Sequence, residues 1–600
     1  MNILLCMPKV SYPQNVWPMM QIGIAYVSSS LKTHMPQNVY TLNLNNSERS
    51  THEALSDMIH RNNISIVGCG DLVVNYREIL SIIDSAKKIK PSVKTFIGGG
   101  FVTYSPVEAM KLIPSADFGI IGEGEVTAFE LVDAICTNSD VSKVDGIIYR
   151  GNDGELITSN PRTEIADLDT IPFPDYKGFF GDEITKSGIC SIVTSRSCPY
   201  SCTYCSQSGG KKYRQRSIEN IFEEIDFLVK NYGMKTLLLS DELFAVNPER
   251  IEEFCRRIKS YNLKWKMYLR LSDSLTVDLL RTMKGAGCYL IYFGLESADD
   301  RVLTSMNKKT SVGLMERVLS RVKEAGLLTQ GTFIFGDTEE TEDTVNTTME
   351  WAKNNRRLLD QVDWAPIILY PGSPLYSAAV SSGRIDPMDH IRNLCPPVNV
   401  SKLSDEFYHT LVYTTLPAKQ MEFNDGNNTK LQIEFNGTVD IENYSASIIC
   451  PACLYEIDIA IKKDILSTVF GYEFSCTACS HSRNLQLVPH YTSWIDGKLR
   501  GILENNRCAV WPVSYHFMLA YGYSYALSDK GLDYLLIDSA ADSNKFFMDR
   551  QVFLPDVLNE KRDIDTVIVF SRYFEAISRE ISLKFPCIKP TLFHEIGAED

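Results

Sequence analysis

Ser195-Arg-Ser-Cys198-Pro-Tyr-Ser-Cys202-Thr-Tyr-Cys205 places three thiols in one short loop, directly after an apolar run at 190–194 that reads as a buried strand. Thiolates are the soft ligands that iron–sulfur clusters select, and three of them can cap three corners of a cubic cluster. The fourth iron is then left without a protein ligand, where a substrate can bind. A structural zinc site would close with a fourth Cys or His, and none follows nearby. A zinc knuckle with a remote fourth ligand is the competing reading.

Working outward from this loop, strand signals recur at 190–194, 236–240, 265–269, 290–293, 329–335 and 362–369. Helical periodicity fills the gaps at 218–230, 248–260, 277–284 and 340–353. Six strand–helix units in succession predict a partial barrel, with ligands at the C-terminal ends of its strands. Upstream, apolar runs at 3–7, 39–44, 64–67, 95–97 and 118–121 alternate with helix-like stretches at 22–31, 53–61 and 76–89. That rhythm predicts a doubly wound parallel sheet. The glycine turns Gly98-Gly99-Gly100 and Gly122-Glu-Gly124 follow strands of this sheet, where backbone without Cβ lets a ligand approach. Asp167-Leu-Asp-Thr-Ile-Pro-Phe-Pro-Asp175 has no periodicity and reads as a linker.

Downstream of Pro397 the character changes. Residues 400–500 carry shorter polar segments with Cys450-Pro-Ala-Cys453 and Cys476-Thr-Ala-Cys479. Four thiolates in two such knuckles suit a closed structural zinc site, with a second iron–sulfur cluster as the alternative. Residues 505–600 return to an α/β rhythm.

Six hundred residues exceed one hydrophobic core and predict three or four domains. A net charge of −15 argues against a broad nucleic-acid face, though not against one small RNA or peptide site. The N-terminus lacks the basic start and cleavage site of a secretory signal, and no apolar run is long enough to span a membrane. A reducing cytoplasm is therefore expected, where the sixteen cysteines serve as metal ligands and buried thiols rather than disulfides.

The C-x3-C-x2-C spacing, with Tyr204 before the last cysteine, resembles the hallmark of the radical S-adenosylmethionine (SAM) superfamily. The resemblance implies a 4Fe–4S cluster on Cys198, Cys202 and Cys205 whose open iron chelates the amino and carboxylate groups of SAM. One electron then cleaves SAM to methionine and a 5′-deoxyadenosyl radical. Other segments match in order. Asp241 and Glu242 end the second strand, where the family places a polar group facing the methionine amino group. Arg270 ends the third and could pair with the SAM carboxylate. Glu296 and Ser297 end the fourth and offer acceptors to the ammonium or ribose. Gly336 and Glu340 follow the fifth, in a pattern that contacts adenosine, with Thr338 where many relatives have Pro. Taken singly, such a carboxylate is as often a helix cap and such an arginine as often a surface ion pair; the ordered set is specific.

An α/β domain placed before such a barrel resembles the cobalamin-binding subgroup of the superfamily. There, methylcobalamin donates a methyl group to a substrate radical; one SAM regenerates it and a second supplies the deoxyadenosyl radical. Gly98, Gly99 and Gly100 fit the turn that cradles the nucleotide tail. Two departures stand out: Met7-Pro-Lys-Val-Ser-Tyr-Pro13 replaces the D-x-H-x-x-G motif, and Gly70-Asp-Leu72 replaces S-x-L. A domain that keeps the fold without the cofactor is the alternative. The tail resembles Rossmann-like domains that accompany methyltransferases of small-molecule and sugar pathways. Trp511-Pro-Val-Ser-Tyr stands in place of its glycine turn, which favours docking or dimerisation at least as much as nucleotide binding.

The expected α/β architecture is thus a cobalamin-binding-like doubly wound domain (1–165), a partial (β/α)6 radical SAM barrel (185–400), a zinc-ribbon-like module (430–500) and a Rossmann-like domain (505–600). The implied activity is methyl transfer to an unactivated carbon or phosphorus of a small biosynthetic intermediate, with flavodoxin or ferredoxin as electron donor. Rearrangement, cyclisation or oxidation without methyl transfer is one alternative; an iron–sulfur scaffold that does not cleave SAM is another.

Overall fold

The first apolar runs become strands that parallel pairing buries on both faces, which is why they carry no polar alternation. A computed structural model describes residues 1–9, 21–47, 49–151, 153–206 and 209–416, and parts of 419–592. The chain divides into one unit holding nearly all of residues 1–403 and a second holding 404–600.

The first unit opens with strands β1 (Asn2–Met7), β2 (Val39–Asn43), β3 (Ile64–Gly70), β4 (Lys94–Gly98) and β5 (Phe118–Ile120). They run parallel in the order β2-β1-β3-β4-β5, which puts the topological switch point between β1 and β3. Two short antiparallel strands, β6 (Ile147–Arg150) and β7 (Leu156–Thr158), extend the sheet; they were not anticipated. Helices α1 (Ile22–His34), α2 (Thr51–Arg61), α3 (Tyr76–Ile89) and α4 (Gly124–Thr137) cover its faces. Each starts and faces as its sequence dictates. Ser50 and Glu53 form a reciprocal capping box on α2, and Ile79, Ile82, Ile83 and Ala86 of α3 are fully buried along one helical stripe.

The segment 167–175 is not a free linker. Asp175 accepts from Ser28 Oγ of α1 at 2.7 Å and caps a short helix through the Gly178 N–H at 3.0 Å. Leu168 and Ile171 pack with Tyr26, and the Phe173 ring lies under the Arg216 guanidinium. Its apolar residues are too few for a periodicity yet each finds a partner, so it straps the first sheet to the barrel.

The barrel strands are β8 (Ile189–Ile192), β9 (Thr236–Leu239), β10 (Lys264–Leu269), β11 (Cys288–Glu296), β12 (Leu328–Phe335) and β13 (Gln361–Pro366). All neighbours are parallel and follow chain order, giving an open six-stranded sheet. Helices α5 (Ile218–Tyr232), α6 (Pro248–Ile258), α7 (Val277–Gly285), α8 (Val312–Glu324) and α9 (Glu342–Asn354) connect them. Trp265 and Phe333 mark the outer face, edge-on to Phe254 of α6 and Trp351 of α9. After β13 the chain returns to the first sheet, where Ile391 and Cys395 join its core.

In the second unit, Ile433–Thr438, Asn443–Ile449 and Glu456–Lys462 form an antiparallel sheet, and Tyr472–Ser475 pairs with Ser482–Leu485. Cys450 and Cys453 fall in sequence between the first pair of flanking strands, Cys476 and Cys479 between the second; all four lie outside the described residues. Further on, parallel strands Arg550–Phe553, Tyr534–Ile537, Cys508–Trp511, Thr566–Val569 and Lys589–Leu592 lie side by side in that order. Among the described residues no helix is long and apolar enough to cross a membrane.

Candidate active site

The cysteine loop leaves β8 at the C-terminal edge of the barrel, and its entry is held by the next strand. Asp241, only 4% exposed, accepts from the Thr194 and Ser195 N–H groups at 2.6 and 2.5 Å and from both hydroxyls at 2.9 and 3.0 Å. Burial raises its pKa and these donors oppose the rise. Both Asp241 oxygens are therefore engaged by the entry of the loop. Ser197, one residue before Cys198, sits at φ +69° in the left-handed region with its hydroxyl donating to Gly210 O at 2.8 Å. Such strain on a buried non-glycine residue persists only where surroundings enforce it. Gly209 is why there is room: a Cβ there would meet Ser197 N at 2.2 Å.

Farther along, Asn307 Nδ2 donates to Ser201 O at 2.8 Å, the Thr203 N–H donates to Met306 O, and Thr203 O accepts from the Leu375 N–H. Cys202 is buried, Cys198 half-buried and Cys205 exposed. Enclosure by the loop raises the Cys198 thiol, and with the nearby Glu242 carboxylate pushes Cys205 to about 12. These thiols lose their protons to a metal rather than to water at neutral pH. Among the described residues no three Cys, His, Asp or Glu side chains converge on one ion. A cubane's thiolates bind three separate irons and need no such convergence, so the donor set fits a 4Fe–4S cluster.

Of the other sequence-selected residues, Arg270 reaches the loop. Its guanidinium stacks on the Tyr200 ring at 3.8 Å, Nη1 approaches Cys202 Sγ at 3.9 Å, and Nη2 is buried without a hydrogen-bond partner. An orphaned donor beside the cysteines fits a carboxylate arriving there. Glu296, at φ +68° and 6% exposed, takes the Tyr204 hydroxyl at 3.0 Å and the Lys308 ammonium at 2.6 Å. Burial, then the Glu296 charge, raises Tyr204 far above its ordinary value. The Ser297 hydroxyl meets Thr348 of α9 at 3.2 Å and accepts from the Asp299 N–H. Gly336, at φ +105°, donates its N–H to Glu340, whose carboxyl burial lifts to about 7.

Gly98, Gly99 and Gly100 do come together, along one wall of a cavity of about 420 Å³. Gly99 has φ +82°, and a Cβ there would fall 2.7 Å from Asp71 O, so glycine lets the turns after β3 and β4 touch. Asp71 is itself tied to Gln21 and to Asn75 Nδ2 at 2.6 Å. The opposite wall belongs to the barrel: Val193, Ser195, Arg196, Ser197, Ser240 and Glu242. Lining glycines whose Cβ would meet open space, such as Gly23 and Gly122, show that the absent side chains leave room for a ligand. No histidine lines this cavity among the described residues, so a corrinoid held here takes no histidine ligand from these walls.

Comparison with known proteins completes the picture. The family model for the B12 binding domain matches residues 18–132, and that for the radical SAM superfamily matches residues 192–352. An uncharacterized methyltransferase of Pyrococcus horikoshii is 30% identical over 370 residues, covering 60% of this chain and 78% of that protein. The chain belongs to the cobalamin-binding radical SAM family. Anaerobic magnesium-protoporphyrin IX monomethyl ester cyclase of Rubrivivax gelatinosus is 27% identical over 371 residues, 60% of this chain and 66% of its own. Among solved structures, the radical SAM methyltransferase TsrM of Kitasatospora setae aligns with TM-score 0.54 and 18% identity over 64% of this chain and 76% of its own. The cobalamin-dependent radical SAM enzyme OxsB aligns with TM-score 0.53 and 19% identity over 67% and 58%. At these identities the two structures show a shared fold. As a radical SAM enzyme with a cobalamin domain, the chain uses a 4Fe–4S cluster, SAM and cobalamin.

Sequence reasoning about this family member missed the charged seam between its two cofactor sites. Arg196 donates to Glu123 Oε1 at 2.7 Å and to Glu125, with its guanidinium 5.2 Å from the Tyr26 ring centroid. Arg214 grips both Glu123 oxygens at 2.9 Å. Burial alone would raise Glu123, but the two arginines hold its carboxyl below its ordinary value. Glu123 lies inside the glycine turn singled out from sequence, yet its arginine partners lie more than 70 positions away. Lys308 was missed too: it follows Glu296 by 12 positions, outside any strand-end motif, and the intervening turn brings it back onto that carboxylate.

Proposed function

We propose that this enzyme transfers a methyl group to an unactivated carbon or phosphorus of a small biosynthetic intermediate. The observation that carries it is the shared cavity: the glycine turns of the cobalamin domain and the entry of the cysteine loop line the same space of about 420 Å³. When bound, the cluster with SAM supplies a carbon radical and the corrinoid supplies a methyl group. A substrate between them needs no general base, which suits a centre whose proton no side chain removes at neutral pH.

In this reading Cys198, Cys202 and Cys205 hold the cluster, and Asp241 and Ser197 fix their loop. Arg270 Nη2 receives the SAM carboxylate, Glu296 (paired with Lys308 and Tyr204) takes its ammonium, and Gly336 with Glu340 flanks the adenosine. Glu242 borders the cavity where it accepts from the Gly209 N–H at 3.0 Å. Gly98, Gly99 and Gly100 cradle the corrinoid's nucleotide tail. The four cysteines at 450–479 hold a structural zinc, residues 505–600 form a Rossmann-like docking domain, and the enzyme works in a cytoplasm where flavodoxin or ferredoxin supplies electrons to the barrel (185–400).

Anaerobic reconstitution tests this. Bound cobalamin, 5′-deoxyadenosine release under strong reductant and a product heavier by one methyl are expected; absence of cobalamin and of methyl transfer sinks the proposal. The Rubrivivax relative named as a cyclase supports a second reading, transformation without methyl transfer, which product mass separates.

A further inference from the structure

Arg196 stands two residues before Cys198 and also lines the cavity of about 420 Å³. Its backbone is held on both sides. The Ser195 N–H donates to Asp241, and Ser197 keeps its φ of +69° with its hydroxyl on Gly210 O. A short ribbon adds to this: Ser195–Arg196 pairs antiparallel with Arg214–Gln215, which sets Arg196 directly opposite Arg214. Like charges so placed repel one another. Glu123 Oε1 relieves the repulsion by accepting from both, Arg196 Nη1 at 2.7 Å and Arg214 Nη1 at 2.9 Å.

From Glu123 the connection runs on into the glycine turns. The preceding Gly122 donates its N–H to Thr103 Oγ1 at 3.1 Å, and that hydroxyl donates to Gly99 O at 2.9 Å. Glu125, the second acceptor of Arg196, lies in the first turn of α4, and its carbonyl takes Ser30 Oγ of α1 at 2.8 Å. The side chains of Arg196, Arg214, Glu123 and Glu125 are at most 13% exposed, so water and salt screen these pairs little. A planar guanidinium gripped by two carboxylates has a fixed direction, which a single ammonium lacks.

We infer that Arg196 is a positioning residue for both cofactors at once: it fixes the separation between the iron–sulfur cluster and the corrin. Its backbone carries the first cluster cysteine, and its guanidinium reaches the corrin cradle through Glu123, Thr103 and Gly99. A substrate that must meet both cofactors tolerates little error in their spacing, since a misplacement of about 1 Å costs about 100-fold in rate. The inference rests on the two cofactors and is independent of whether a methyl group moves.

The full chain, reconstituted anaerobically with iron, sulfide and hydroxocobalamin, is reduced until the cluster and cob(II)alamin are both paramagnetic. Pulsed electron paramagnetic resonance then reads the dipolar coupling between them. One narrow coupling is expected for the wild type. Arg196→Ala should shift or broaden it, and Arg196→Lys should give an intermediate width, because one ammonium serves one carboxylate. Glu125→Gln, which keeps a neutral acceptor, should broaden it least. Arg162→Ala removes an ion pair to Glu130 farther along α4 and should lower the urea midpoint with the coupling unchanged. Iron, cobalamin and urea midpoint are measured for every variant. The inference is overturned by a coupling already broad in the wild type, by one in Arg196→Ala as narrow and centred as in the wild type, or by equal broadening in Arg162→Ala. Loss of either cofactor from Arg196→Ala, Arg196→Lys and Glu125→Gln in step with their midpoints overturns it too, by making the role one of folding alone. None of these readings uses methyl transfer, so product mass decides that proposal separately.

Discussion

Asp241→Ala removes the acceptor of four donors at once. The Thr194 and Ser195 N–H groups, 2.6 and 2.5 Å from the carboxylate, lie where water has little access, since Asp241 is 4% exposed. Each buried donor left unpaired costs about 1–3 kcal/mol, about 4 kcal/mol for the pair. The hydroxyls add little, because they rotate and Ser195 Oγ keeps Leu243 O at 2.9 Å. Removing the carboxylate also relieves the burial that raises its pKa, which offsets part of this loss. The net loss of about 3 kcal/mol lowers the folded-to-unfolded ratio about 100-fold. Urea unfolding gives the midpoint and slope; iron analysis after reconstitution and SAM affinity by equilibrium dialysis complete the assay. A shifted midpoint with poor iron retention is expected. An unchanged midpoint and full iron, with SAM affinity alone lost, would refute the reasoning and make Asp241 a SAM ligand.

Lys308→Ala leaves Glu296 buried without its cation and should cost about 3–5 kcal/mol in urea unfolding, while Lys308→Arg retains most of it. Glu340 has a folded pKa of about 7 against 4.5 unperturbed. The unfolded chain therefore ionises first, and stability falls by about 3 kcal/mol as pH rises from about 4.5 to about 7. Glu340→Gln should flatten that slope, measured by unfolding at intervals across the window. Gly99→Ala forces a left-handed backbone on a residue with a Cβ, about 1–2 kcal/mol, and crowds Asp71; cobalamin retention on gel filtration should drop about 10-fold. Cys205→Ala should abolish both iron loading and deoxyadenosine release, measured by metal analysis and chromatography.

Much of this architecture was legible before any contact was known. The barrel strands fall within one or two residues of the sequence signals at most ends, because the face packed against the helices is apolar at every second position, as Trp265, Met267 and Leu269 are on β10. The departure is β11, where a bulge at Tyr289 and the half-buried Tyr292 accompany a strand longer than its apolar centre. β6 and β7 were invisible because each is short and mixed in polarity. The segment 167–175 looked like a linker because its contacts are made one residue at a time.

At the site the division is sharper. The amino-acid sequence by itself determined the three-thiol loop, the strand ends that surround it and the glycine turns opposite, since all of these are set by residues within a few positions of one another. Only the tertiary structure decided that Asp241 clamps the loop, that the Ser297 hydroxyl meets Thr348 of α9, and that Lys308 neutralises Glu296. It also decided that Arg196 and Arg214 join the two cofactor domains through Glu123 and Glu125. Those pairings follow from strand register and the paths of loops, which bring together side chains far apart along the chain. A buried charge or donor must then be matched by whatever that geometry delivers.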